Sequence, residues 1–166
     1  EHDGGVFLAS GFSAEAYDQW RDQLGADVAA IERVMNHRHV GDLLPGADGL
    51  SGLHSALAHA RFPWVAVAAT DLPFLTRGFW DFLYEQARAS PYPVVAVYNP
   101  EGHLEPLMAL YHKDCLPQVE RQIREGDFRL GRVVEALGAT YVAAEEVVAR
   151  FGERVYLNAN RRADLP

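Results

Sequence analysis

The chain has 166 residues, 49% of them apolar, with 15 Lys and Arg against 23 Asp and Glu and a formal net charge of −8. That length suits one domain with a two- or three-layer core, and the acidic balance argues against a protein that holds a nucleic acid backbone by charge neutralisation. Cys115 is the single cysteine, which excludes an internal disulfide, and the longest apolar run is six residues, Trp64 to Ala69, far short of a membrane span.

No basic, apolar, small-residue leader opens the chain, so a cytoplasmic location is expected, with neither nucleic acid nor membrane as partner. Val6 to Ser10 reads as a short buried strand ended by Gly11. Ser13 can cap a helix carrying Ala16, Tyr17, Trp20 and Leu24 on one face. A weaker strand is expected over 34–40. After a loop holding Pro45 and Gly46, a helix from Gly49 turns Leu50, Leu53, Ala56, Leu57 and Ala60 inward.

Pro63 to Thr70 is the clearest strand, apolar throughout as a strand covered on both faces should be. It runs into Asp71-Leu72-Pro73, and Thr76 caps the next helix. Val94 to Tyr98 and Leu104 to Tyr111 read as strands joined through the turn Asn99-Pro100-Glu101-Gly102. Helices are expected over Leu116–Arg124 and Leu130–Leu137, then strands over Ala139–Val142 and Arg154–Asn158. Alternation of this kind predicts an α/β domain with a mainly parallel sheet.

In such a sheet ligands bind beyond the carboxyl ends of the strands, so polar residues there carry the chemistry. Asp71 follows the most apolar strand. It is either a ligand for a hard cation such as Mg²⁺ or a turn cap before Pro73. Gly49-Leu50-Ser51-Gly52 opens a helix whose free N–H groups admit a phosphate or base, although helix entry alone accounts for the string equally well. Asp42 is placed to accept bonds from a base edge, or is simply solvated. Glu105, inside an apolar strand, needs solvent or a partner. Asn158 and Asn160 offer two amides, though asparagines there also form turns. His37 and His39 lack companions at zinc spacing, His54 and His59 do not share a helix face, and Cys115 has no evident base.

Four strings, in order, resemble the molybdenum cofactor guanylyltransferase family. They are Leu50-Ser51-Gly52-Leu53, the apolar run from Val65 ending in Asp71-Leu72-Pro73-Phe74, Leu104-Glu105-Pro106-Leu107-Met108-Ala109-Leu110-Tyr111, and Asn158-Ala159-Asn160 with Asp164-Leu165. The resemblance implies a three-layer, Rossmann-like fold of the nucleotide-diphospho-sugar transferase type. It implies Mg²⁺-dependent transfer of GMP from GTP to molybdopterin, giving the guanine dinucleotide cofactor and pyrophosphate. By the same resemblance Asp71 is the catalytic metal ligand. Asp42, Gly49, Leu50, Ser51, Gly52 and Asp71 itself contact the nucleotide, and Glu105, Asn158 and Asn160 lie on the molybdopterin side. Molybdenum insertion proteins and molybdoenzyme chaperones are the further partners implied.

The family pattern opens with a first strand and a phosphate loop, L-A-G-G-x-S-x-R-M-G-x-D-K, which nothing here matches; Val6 to Ser10 corresponds to the second strand. The expectation is that the loop lies upstream of Glu1 and that residues 1–166 form a single nucleotidyltransferase-like domain. The alternatives are a diverged relative without the loop, a cytidylyl or other nucleotidyltransferase of the same fold, or a non-catalytic cofactor-binding module. Gly11, where the family usually has asparagine, and Asp48-Gly49, where it has G-P, leave the base preference open.

Overall fold

The computed structural model describes residues 6–8, 48–69, 72 and 74–158. The helix expected from Ser13 and the strand expected over 34–40 lie outside them. The described strands form a five-stranded sheet in the order β1-β2-β4-β3-β5. They are β1 (Val6–Leu8), β2 (Trp64–Ala68), β3 (Val94–Tyr98), β4 (Leu104–His112) and β5 (Thr140–Val142). β1 is parallel to β2 and β3 to β5, while β4 runs against both of its neighbours. Four strands therefore share one direction and the fifth is reversed.

That reversal follows from the connection. Asn99-Pro100-Glu101-Gly102 has the composition of a tight turn, with Gly102 at φ +81° and its N–H donated to the Asn99 carbonyl at 2.9 Å. A link this short joins antiparallel strands; a parallel return needs a crossover of a dozen residues or more. β2 was expected to be flanked by parallel strands and instead pairs with β1 on one side and the reversed β4 on the other.

Helices cover both faces of the sheet. α1 (Asp48–His59) buries Leu50, Leu53, Ala56 and Leu57, the expected apolar stripe. It shares one core with α3 (Leu116–Arg124), α4 (Leu130–Leu137) and the strand residues Val65, Val67, Val94, Ala96, Ala109 and Tyr111. The alternate residues Ala66, Ala68, Val95, Val97, Met108 and Leu110 face the second core, under α2 (Arg77–Ala89) and α5 (Ala144–Phe151). Period-two alternation with both sets apolar is why these strands read as continuous hydrophobic runs. Thr76 caps α2 as expected, its Oγ1 accepting from the Phe79 N–H at 3.3 Å. α4 ends at Gly138, φ +73°, where a Cβ would fall 2.8 Å from the Tyr92 ring; both the backbone and the space require glycine.

The carboxy-terminal part departs from expectation. α5, which no expected element anticipated, fills the stretch after β5, burying Ala144 and Val147. The strand expected over Arg154–Asn158 is instead a 3₁₀ turn, Glu153–Tyr156. It pairs with no described strand: Val155 drops into the second core while the Tyr156 hydroxyl donates to the Tyr98 carbonyl at 2.8 Å. Among the described residues no helix is long and apolar enough to cross a membrane.

Candidate active site

The site begins with a break in register. β2 and β4 pair without interruption from Trp64 opposite His112 to Ala68 opposite Met108. β3 and β4 pair regularly only as far as Ala96 opposite Ala109; the next pair is Val97 opposite Glu105. Pro106, Leu107 and Met108 thus have no counterpart on β3, and β4 bows away from it. Proline at the start of this stretch has no N–H to leave orphaned. Its carbonyl accepts from the buried Tyr111 hydroxyl at 2.6 Å, and the Leu107 carbonyl accepts from the Ala69 N–H at 2.8 Å. Burial pushes the Tyr111 phenol well above its usual range, so it remains a donor.

The bow opens a cleft of about 720 Å³ beyond the carboxyl ends of β2 and β3, where an open α/β sheet places its ligands. The cleft's apolar lining includes Ala69, Leu72 and Leu107. Behind Leu107 lies the start of α1, a Cβ on Gly49 falling 3.7 Å from the leucine side chain. The cleft's polar lining comes from the β3–β4 hairpin and the segment through the 3₁₀ turn, with Asn99, Glu105, Glu153, Tyr156 and Asn158.

Each wall is tied down. Arg154 stacks its guanidinium 4.4 Å from the centre of the Phe74 ring, joining the 3₁₀ turn to the loop after β2. Tyr156 joins the same turn to the end of β3. Burial, then the Glu105 and Glu145 charges, push the Tyr156 phenol up to about 12. Glu105 has found the partner a strand-interior carboxylate needs: the Asn99 amide donates to its Oε1 at 2.7 Å.

Of the residues singled out in the sequence, Glu105 and Asn158 both line the cleft. Gly49 is half-buried at its back, and Leu50 and Ser51 are buried in the body of the fold, so Leu50 serves the core through its side chain. Asp42, Asp71 and Asn160 lie outside the described residues, although Leu72 and Ala69, on either side of position 71, line the cleft. Asn99, Tyr156 and Glu153 were not anticipated as site residues; only the Asn-Pro turn marked the first. Cys115 is buried, donates to the Pro93 carbonyl at 3.3 Å, and is pushed by burial up to about 12, as suits a structural thiol.

Among the described residues no three His, Cys, Asp or Glu side chains gather as a metal cage. Among the described lining residues the side-chain donors are carboxylates, amides and a phenol, with no thiol or imidazole. Hard oxygen donors in small number fit Mg²⁺, which leans on one or two carboxylates and on substrate phosphates.

The MobA-like NTP transferase domain family matches residues 15–142. The chain belongs to that family. It is 34% identical over 155 residues to a probable molybdenum cofactor guanylyltransferase of Deinococcus radiodurans, covering 87% of this chain and 77% of the relative. A protein of the same name from Thermococcus sibiricus is 32% identical over 116 residues, 70% of this chain and 58% of the relative. Among solved structures, molybdopterin-guanine dinucleotide biosynthesis protein A from Archaeoglobus fulgidus superposes with a TM-score of 0.72 at 21% identity, covering 98% and 94% of the two chains. A 2-C-methyl-D-erythritol 4-phosphate cytidylyltransferase from Thermus thermophilus gives 0.57 at 15% identity, covering 97% and 94%. At those identities the structures establish the shared nucleotidyltransferase fold.

Proposed function

We propose that this chain carries the transfer domain of a molybdenum cofactor guanylyltransferase, moving GMP from GTP to molybdopterin with release of pyrophosphate. The observation that carries the reading is a cleft at the strand ends, lined by oxygen donors and by Glu105-Pro106-Leu107 of the L-E-P-L string, in a chain of this family. A terminal phosphate oxygen of the acceptor attacks the α-phosphorus of GTP. The new P–O bond forms as the bond to the bridging oxygen breaks, and pyrophosphate leaves in line. Positioning and charge neutralisation supply most of the catalysis in such displacements. The nucleotide lies on the α1 side, its phosphates toward the Gly49–Gly52 backbone and its base toward Asp42. The acceptor lies on the hairpin side, near Glu105, Asn158 and Asn160. Asp71 holds Mg²⁺, which when bound offsets the charge on the phosphoryl oxygens. The product passes, in the cytoplasm, to molybdenum insertion proteins and molybdoenzyme chaperones.

The test is pyrophosphate release by the full-length protein with GTP, Mg²⁺ and molybdopterin. Asp71→Ala is expected to lower turnover by at least about 100-fold while leaving the circular dichroism spectrum unchanged. Retained turnover removes Asp71 from the chemistry, and preference for CTP over GTP replaces guanylyl with cytidylyl transfer.

A further inference from the structure

Asn99 is bonded through both arms of its amide. Its Oδ1 accepts from the His103 N–H at 2.9 Å and its Nδ2 donates to Glu105 Oε1 at 2.7 Å. An amide carries acceptor and donor on separate arms, so fixing the oxygen on the backbone N–H leaves the NH₂ aimed at the carboxylate. Glu105 is consequently held as an acceptor, and no described residue bonds its second oxygen. The hairpin turn alone does not require this: the bond to His103 N–H closes the turn, whereas the bond to Glu105 reaches into the cleft.

The position of Glu105 is specific. It stands opposite Val97 where the register of β3 and β4 slips, on the hairpin side of the cleft with Asn158. The start of α1 lies behind Leu107, which packs against the first core, whereas Tyr156, lining the same cleft, packs against the second. A two-substrate cleft with its phosphate-facing helix on one side leaves the hairpin side for the second substrate. A carboxylate fixed there, its second oxygen bonded by no described residue, is matched by a flat ligand edge bearing two adjacent N–H groups, the arrangement that makes paired charge-assisted hydrogen bonds. A pterin presents such an edge in its ring N–H and 2-amino group; guanine presents the same edge, and it is the placement of Glu105 away from the start of α1 that assigns it to the acceptor.

We propose that Asn99 is a positioning residue that fixes Glu105 to read the amino edge of the pterin acceptor. This rests on the transfer reading above and adds to it the residue pair that selects the acceptor. Asn99→Asp separates the two jobs of the side chain. An aspartate oxygen still accepts from the His103 N–H, preserving the turn, but meets Glu105 with a second acceptor instead of a donor.

The experiment measures binding of free pterin and of lumazine, which has a carbonyl oxygen in place of the 2-amino group, to the full-length protein by ligand fluorescence, alongside transfer kinetics. The wild type is expected to prefer pterin by about tenfold. Asn99→Asp and Glu105→Gln are each expected to lose that preference. Both are also expected to raise KM for molybdopterin about tenfold with KM for GTP unchanged within about twofold. Asn99→Asp combined with Glu105→Gln restores a donor–acceptor pair in reverse, yet the amide introduced at position 105 lacks the charge that reads the edge, so the preference stays lost. A wild type that binds pterin and lumazine alike, or an Asn99→Asp protein that keeps the preference, overturns the proposal. If GTP transfer is absent in the wild type while the pterin preference depends on Asn99, the transfer reading fails and this assignment stands.

Discussion

Met108–His112 and Leu104–Leu107 belong to one strand, yet they follow different rules. The first stretch is paired in unbroken register with β2, and Met108 through Tyr111 are buried between two helix layers. The second has slipped three residues against β3, is only half-buried, and has two backbone carbonyls held from elsewhere, one by the Tyr111 hydroxyl and one by the Ala69 N–H. Regular pairing uses up the backbone groups and leaves side chains only packing to do. Where pairing lapses, tyrosine hydroxyls and amides take over, and space opens for a ligand. Stability and function are thereby separated along nine residues.

Substitutions on either side of the slip break or sharpen that separation. The largest loss is expected in the second core, where α2 packs on Met108 and Leu110 of the regular half. Phe79 is fully buried, with its ring against Trp80 and Phe151 in the second core. Phe79→Ala should cost about 3–5 kcal/mol in denaturant unfolding, with the pterin preference intact in the protein that remains folded. Tyr111→Phe acts at the joint, keeping the ring in the core while orphaning the Pro106 carbonyl. A loss of about 1–3 kcal/mol is expected, together with weaker discrimination between pterin and lumazine. A stability loss without that second effect would show the bow to be rigid without its tether.

The smallest effect belongs to the cleft wall. Tyr156→Phe removes one bond to the Tyr98 carbonyl and should cost about 0.5–1.5 kcal/mol. It also has a signature in pH. Burial and neighbouring carboxylates hold the Tyr156 phenol at about 12, above its ordinary value of 10.0. The unfolded chain therefore loses this proton first. The contribution is complete below pH 10 and drains away as pH rises through about 12. Unfolding midpoints measured across that window should fall less steeply in Tyr156→Phe than in the wild type.

The same division governs what could be read in advance. β2, the stripe of α1, the Thr76 cap and the bounds of α3 and α4 follow from periodicity and local chemistry, and all are present. Glu105 stood out because a carboxylate inside an apolar strand must have a partner. Its partner did not, because Asn99 reaches it only through a register slip that depends on how β3 and β4 meet. The direction of β4 was implicit in a turn too short for a crossover but was subsumed under the general alternation of the chain. The segment through the 3₁₀ turn has the apolar alternation of a strand in Val155 and Leu157, yet it pairs with no described strand; Val155 packs into the second core and Leu157 stays exposed, which depends on how the chain meets the rest of the fold.

The placement of β4 also dictates an order of events during synthesis. It is the partner of both β2 and β3, yet it follows both in the chain. A nascent polypeptide that has emerged only as far as Tyr98 exposes two unsatisfied edges of very apolar strands with nothing between them, the kind of surface that invites pairing between chains. Insertion of the later-made strand as a keystone closes the gap, and the hairpin that delivers it, tight and local, can form as soon as its residues leave the ribosome.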